Sequence, residues 1–578
     1  MTTRRLNVVL CWHMHQPYYR DGLTGEYRLP WVYLHGIKDY SDMAAHLERH
    51  RDMCVVVNFA PVLLEQLDDY ARQLEALLAD GRPTQDRMLN LLAGVEPIPG
   101  DAEDRKKLIQ DCQRCHAPRM IHPYPAFHRL LRMVGATDEA GIGSQSMEWS
   151  LGYLSEQYFL DLLTWYHLAW LGHSLKQTAV AKRLIEQASP HNESDRRELL
   201  GLIRDCLAGL IPRFRALAER GQIELSMTPY GHPIVPLLND FQNMRCAMPD
   251  APAPQATVYP GGYERARWHM QQGIAVFEHY FGRKPQGVWL SEGGVSEDAI
   301  SLLDEFGIRW TASGEGVWRN SCHLSGCKEE DTHNKRGLFS PWRLEGSNAR
   351  LFFRDDGLSD LIGFKYSTWH ADEAVGDFVQ HLENIATYFG ADAGQHGVSI
   401  ILDGENAWEY YPDNGYHFLE GLYAALEGSG AFHLSSFAEL AGKLPAKPLA
   451  HLCAGSWVYG SFSTWIGTDD KNRSWDLLVS AKQDYDRTLE SLSAAQQQQA
   501  TQQLAVCEGS DWFWWFGDYN PANSVSDFEQ LFRSQLRELY RLLGVAPPVQ
   551  LDAPLSQGGG HAENAGTMRR NVEPGNGS

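Results

Sequence analysis

One pattern recurs along most of this sequence: an amphipathic helix, a glycine, a short β-branched or aromatic run, then a polar cluster. In LLGLIRDCLAGLIPRFRALAERGQIELSMTPYGHP, apolar residues recur at helical spacing up to Arg220, Gly221 supplies the stop, and IELSM is the strand. RWHMQQGIAVFEHYFG, from Arg267 to Gly282, predicts the next helix, followed by the strand GVWL and the cluster SEGG. SEDAISLLDEFG predicts a helix capped by Ser296 and ended by Gly307, followed by IRWTAS and GEG. The strand ARLFFRDDG, the helix GDFVQHLENIATYFG, the strand GVSIILDGEN, the helix HFLEGLYAALEGSG and the strand AFHLSS continue the alternation. Alternation of this kind predicts an α/β fold with a parallel sheet.

The polar residues fall at or just past the C-terminal ends of the predicted strands. They are His13 and His15, Asn58, His232, Glu292, Glu315, Asp355 and Asp356, and Asp403 and Glu405. In a parallel barrel that end is where sites are built. A doubly wound sheet would also collect residues at its strand ends, but no GxGxxG follows the first strand, LNVVLC. The expectation is a TIM-like barrel over residues 1–444, with helical insertions near Pro61–Gly94 and Met147–Glu186. Between those insertions, PIPGDAEDRKKLIQDCQRCHAPRMIHPYP reads as an excursion over the barrel top. After Leu444 the alternation stops, and residues 445–545 read as a helical C-terminal domain. Residues 546–578 lack periodicity and read as a disordered tail.

Composition narrows the partners. With 73 acidic against 51 basic residues, the formal charge of −22 argues against nucleic acid or an anionic membrane. The 18 Trp and 24 Tyr suit ligands that have both apolar faces and hydroxyls, as sugars do. The apolar start is interrupted by Trp12 and His13, unlike a signal peptide, and no run is long enough for a membrane helix. Ten scattered cysteines fit reduced thiols in a cytoplasmic protein. Cys112, Cys115, Cys322 and Cys327 form two close pairs that could together ligate zinc, against the plainer reading of loop thiols. The oligomeric state is not legible.

Several carboxylates at one barrel mouth, with neither a nucleotide loop nor a nucleophile elbow, point to carboxylate chemistry. Glycoside hydrolysis uses a pair of them, one at the anomeric carbon and one to protonate the leaving oxygen. The candidates are Glu292, Glu315, Asp355, Asp356, Asp360, Asp403 and Glu405. Glu292 is favoured because two glycines follow it, and Asp355 because it ends the apolar strand LFFR.

WHMHQP, TPYGHPIVPLL, GVWLSEGGVS, LFFRDDGLSDLIGFKYS and LDGENAWEYY, in this order, resemble the successive signature regions of glycoside hydrolase family 57. CEGSDWFWWFGDYN is similar to the amylopullulanase-like branch of that family. The resemblance implies an incomplete (β/α)7 barrel, α-glucan or maltooligosaccharide substrates, no cofactor or metal, and a retaining mechanism. It implies Glu292 as nucleophile and Asp355 as general acid/base, with Asp356 and Asp360 as alternatives for the acid. His13, His15, Gln16, His232, Trp289, Asp360, Asp403, Glu405, Trp408 and Trp457 are then expected to bind substrate. Trp512, Trp514 and Trp515 are further aromatic platforms, with core packing as the plainer reading.

The expected activity is of the amylase or amylopullulanase type, with 4-α-glucanotransferase or branching enzyme as the alternative. Two other classes compete. A metal-dependent carbohydrate hydrolase or deacetylase would need an aspartate beside His13 and His15, and the local sequence supplies none. A non-catalytic α-glucan-binding protein would not need carboxylates at both catalytic positions.

Overall fold

The computed structural model describes residues 5–135 and 151–560. The start of the insertion expected from Met147, and residues 561–578 of the expected tail, lie outside the described residues.

Nine strands form among the described residues: β1 (Leu6–Met14), β2 (Val55–Phe59), β3 (Ile223–Met227), β4 (Trp310–Ser313), β5 (Trp342–Leu344), β6 (Arg350–Phe353), β7 (Gly397–Asp403), β8 (Phe432–Leu434) and β9 (Lys447–Leu449). Every residue of β1 is buried, as expected of a parallel strand covered on both faces. One sheet runs β3-β2-β1-β7, all parallel, with β8 beside the first half of β1. The other runs β4-β6-β5-β9, parallel except where β5 meets β6.

Single bridges connect the two sheets at both edges. Val288 pairs with Met227 of β3 while Gly287 pairs with Trp310 of β4, so GVWL joins the sheets although only two of its residues pair. At the other edge Arg354, just past β6, pairs with Ser399 of β7. All of these bridges are parallel.

The predicted helices and their stops appear where the glycines put them. Helix Glu193–Glu219 is followed by Gly221 at φ +76°, and Gly262–Phe281 by Gly282 at φ +67°. In helix Glu297–Glu305 the Ser296 hydroxyl accepts the amide of Ala299, the expected cap. The second of these helices starts five residues before Arg267, because GYERA continues its apolar face through Ala266.

Two expectations about the C-terminal region need correction. Pairing does not stop at Leu444, since β9 adds to β5. Nor is the chain unstructured from Ala546: Leu551 and Leu555 are buried against helix Ala522–Leu543, where Arg533 Nη1 donates to the Leu551 carbonyl at 3.0 Å and the Leu555 amide to Glu529 at 2.8 Å. Two leucines four residues apart are too brief a signal for periodicity to reveal.

Helices Asp469–Thr488, Ala494–Cys507, Asp511–Trp515 and Ala522–Leu543 lie between. Trp512, Trp514 and Trp515 are buried among them, and Trp475 stacks on Phe513 with centroids 4.4 Å apart. They are core residues and offer no open ring face.

The cysteines are free thiols, and Cys112 and Cys115 are buried in the hydrophobic core beside Tyr166. Burial holds both thiols protonated. Among the described residues no clustered set of ligand atoms includes any of the four cysteines considered for zinc. No described helix is long and apolar enough to cross a membrane.

Candidate active site

Strand register brings the first group of polar side chains to one level. His13 of β1 is opposite Asn58 of β2 and Asp403 of β7, and Asn58 is opposite Ser226 of β3. Equivalent positions of parallel neighbours face the same side, so these four converge. Asn58 donates through Nδ2 to Ser226 Oγ at 2.9 Å, and its Oδ1 accepts from Thr228 Oγ1 at 2.9 Å. The same oxygen faces His13 Nδ1 at 2.7 Å, so that nitrogen carries the proton.

The proton inventory extends from there. His13 Nε2, left as an acceptor, faces His232 Nε2 at 3.3 Å, which puts the His232 proton on Nε2 and lets Nδ1 accept from Ser510 Oγ at 2.8 Å. Burial, with neighbouring His15, depresses His13 to about 3 against the opposing bond to Asn58. Burial and the two other imidazoles push His232 well below the usual range. Both rings are therefore neutral. His15, with parallel geometry, stacks on His232 at 3.7 Å and reaches Asp511 Oδ1 through Nε2 at 2.8 Å. Its Nδ1 is buried with no protein partner.

Asp511 supplies the aspartate that the local sequence lacked, from 496 residues away. His15, His232 and Asp511 place ligand atoms within 4.8 Å of one another, so a metal must be considered. The stacking argues against it. A metal lies in the plane of each imidazole along its lone pair, and rings 3.7 Å apart and only 10° from parallel aim those lone pairs side by side.

The second group surrounds Glu292. The turn Ser291–Gly293 holds Glu292 at φ +59° and Gly293 at φ +57°, an arrangement unusual for a side-chain-bearing residue. Gly293 is required there, because a Cβ would meet the Trp289 ring at 2.8 Å. Trp457 grips the turn twice: its amide donates to the Glu292 carbonyl at 3.1 Å and its indole Nε1 to Glu292 Oε2 at 3.0 Å. The Val295–Gly455 bridge fixes the Trp457 segment against the turn.

The third group contains the three candidate acids. Arg354 donates to Asp356 Oδ1 at 2.8 Å and to Asp360 Oδ1 at 2.7 Å, and its Nε binds the Ile401 carbonyl at 2.8 Å. Burial raises Asp356 against the pull of Arg354. Asp360 is exposed. Asp355 is buried and caps helix Asp356–Asp360, its Oδ1 accepting the Leu358 amide at 2.9 Å with Lys335 Nζ at 3.5 Å. The Arg354 guanidinium lies 5.4 Å from the Trp457 ring centre, which links this group to Glu292.

Asp403 accepts from Asn406 at 2.6 Å and is pushed up to about 6 by burial. Burial, with Asp403 and Asp39 nearby, raises Glu405 well above the carboxylate range. Glu405 Oε1 accepts from Gln16 Nε2 at 3.3 Å, and Gln16 Oε1 accepts from Tyr19 at 3.0 Å. Trp457 is partly exposed, but Trp289 and Trp408 are fully buried. Trp289 packs edge-on against Trp457, and Trp408 donates to the Gly404 carbonyl and packs on Trp12. The expectation that these two touch sugar is corrected: their bulk fills space beneath the mouth.

The sequence profile of glycosyl hydrolase family 57 matches residues 9–452. The chain belongs to that family. It is a glycoside hydrolase or transglycosylase of a retaining kind. No curated protein matches it in sequence.

Solved structures of similar fold include a family 57 branching enzyme from Pyrococcus horikoshii, 15% identical with TM-score 0.56, covering 95% of this chain and 96% of that one. An α-amylase from Thermotoga maritima is 13% identical with TM-score 0.52, covering 98% and 100%. A 4-α-glucanotransferase from Thermococcus litoralis is 14% identical with TM-score 0.50, covering 93% and 60%.

This family 57 chain also uses residues that its sequence did not single out: Ser510 and Asp511 on the histidines, and Lys335 on Asp355. Asp511 lay inside the quoted CEGSDWFWWFGDYN, so a signal existed, though nothing tied it to His15. For Lys335 there was none.

Proposed function

We propose that this chain is a retaining α-glucan-active hydrolase of the amylase or amylopullulanase type, with Glu292 as nucleophile and Asp355 as general acid/base. The observation that carries the reading is the contrast among the acidic residues. Asp356 and Asp360 are committed to Arg354, Glu405 is held neutral by burial, and Glu315 is paired with Arg319 and Lys335. Asp355 meets its partners through Oδ1, leaving Oδ2 for a glycosidic oxygen.

The strand links support an incomplete (β/α)7 barrel over residues 1–444. In spatial order β1, β2, β3, residues 287–288, β4, β6 and β7 are neighbours, and β7 returns to β1. Glu292 and Asp355 stand at the ends of members of this ring. The helical group from Asp469 to Leu543 then delivers Ser510 and Asp511 to its mouth.

In the first step Glu292 attacks the anomeric carbon while Asp355 gives its proton to the departing oxygen. In the second, the Asp355 carboxylate takes a proton from the acceptor hydroxyl as that oxygen displaces Glu292. His15, whose Nδ1 has no protein partner, and Asp403 bind sugar hydroxyls beside the reacting ring, while His13 and His232, both neutral and bonded through both nitrogens, hold His15 in place.

The test is to incubate the enzyme with maltooligosaccharides and pullulan, following fresh product by proton NMR and chain length by chromatography. Shorter products released first as the α-anomer are expected. A β-anomer appearing first would remove the nucleophile assignment, and predominantly longer or branched products would establish 4-α-glucanotransferase or branching activity instead of hydrolysis.

A further inference from the structure

Between Glu315 and Asp355 lies a lysine that neither the fold nor the core requires. Lys335 follows Asn334 in the segment between helix Glu315–Leu324 and β5, and both have left-handed backbones, at φ +58° and +49°. Consecutive side-chain-bearing residues in that region are disfavoured, and such conformations persist where surroundings hold them. Here they aim the lysine inward. Its Nζ lies 2.7 Å from Glu315 Oε2 and 3.5 Å from Asp355 Oδ1. A Cβ added to Gly357 would stand 3.3 Å from Asp355 Oδ1 and 3.7 Å from Lys335 Nζ, so the ammonium also crowds the first turn that Asp355 caps.

We propose that Lys335 is a positioning residue for the general acid: its ammonium holds Oδ1 of Asp355, turns Oδ2 toward the glycosidic oxygen, and steadies the carboxylate after the proton has left. This rests on the assignment of Asp355 above. Glu315 is the anchor of the device: its Oε2 holds the Lys335 ammonium at 2.7 Å while Arg319 binds its other oxygen at 2.5 Å.

In the retaining cycle Asp355 is an acid first and a base second, so its carboxylate must keep one orientation through both steps. The other charged groups near Asp355 are Arg354, Asp356 and Asp360 on its own segment. Glu315 and Arg319 approach from the neighbouring helix, and Glu292 shares the Trp457 ring that Arg354 covers. Arg354 is occupied by two carboxylates, so Lys335 is the cation in contact with Asp355.

The test compares Lys335→Met, Lys335→Arg and Asp355→Asn, each checked for an unchanged thermal transition. Substrates are maltoheptaose and an aryl α-maltooligoside with an activated leaving group. For Lys335→Met we expect kcat on maltoheptaose to fall about tenfold with KM within about twofold, and less on the aryl glycoside. Lys335→Arg should restore kcat on maltoheptaose. An unchanged kcat in Lys335→Met, with Asp355→Asn selectively inactive on maltoheptaose, would overturn the role of Lys335 and leave Asp355 as the acid. Full turnover of maltoheptaose by Asp355→Asn would overturn both.

Discussion

At the scale of single residues, the environment of Glu292 separates its chemical role from any structural one. Its backbone is in a conformation that favours glycine, yet a glutamate is kept there with its carboxylate fixed by the Trp457 indole. Glu292→Gln keeps the size and one oxygen for that indole but cannot attack carbon. The expected outcome is a folded protein that still binds maltooligosaccharide, with kcat lowered by about a thousandfold or more. Isothermal titration calorimetry and single-turnover kinetics check it, and substantial turnover in a clean preparation would remove Glu292 as nucleophile. The residue types at the strand ends placed Glu292 among the candidate carboxylates and the glycines that follow it favoured it, while the nucleophile role came from the family resemblance. Among three neighbouring aspartates the sequence favoured Asp355 as the one ending the strand, but that Arg354 binds the other two was not readable, because that depends on where its side chain points.

At the scale of elements, the alternation of helix, glycine and strand was legible because each unit carries its own stop and its own apolar period. The short pairings were not. Residues 287–288 contribute a single bridge to each neighbour, and β5 and β9 have three residues each, too few for alternation to register. Least legible was the partnership between TPYGHP and EGSD. The Ser510 amide donates to the His232 carbonyl at 2.9 Å, and behind it Glu508 is wholly buried. Glu508 accepts from Arg265 Nη2 at 2.7 Å, His269 Nε2 at 2.8 Å and Tyr259 at 2.6 Å. His269 Nδ1 in turn accepts the Gly231 amide at 3.2 Å.

Burial alone would raise Glu508, but Arg265 and His269 outweigh it and hold the carboxyl at about 2. A carboxylate depressed in the folded state adds stability above its unfolded pKa of about 4.3, and loses that contribution as pH falls toward 2. Glu508→Gln leaves Arg265 buried without its counter-charge, so a loss of about 3–5 kcal/mol is expected at pH 7. The gap between variant and wild type should narrow between about pH 4.3 and 2. Urea denaturation across that range measures it, and a gap constant with pH would mean that the Glu508 charge is not what anchors the EGSD turn.

At the scale of the whole molecule, the site at the strand ends is completed by chain that is remote in sequence. Asp511 and Ser510 reach the histidines only because helices Asp469–Thr488 to Ala522–Leu543 share one hydrophobic cluster with the strands. What seals the outer side of that helical group is the segment after Val545. Leu551 and Leu555 are buried, Arg537 pairs with Asp552, Ser556 Oγ donates to Asp470 Oδ2 at 2.8 Å, and Pro521 pairs with Gly560. Fully burying two leucines is worth about 1.5–3 kcal/mol each, while the exposed ion pair adds little. Ending the chain at Val545 is therefore expected to destabilise the helical group by about 3–6 kcal/mol, a range set by those two side chains. Ending it at Gly560 removes none of these contacts. Because the helical group presents Asp511 to His15, the shorter form should lose activity on heating at a lower temperature than the longer one. Calorimetry beside residual activity after heating reads both effects, and identical behaviour of the two truncated chains would show that residues 546–560 carry no load.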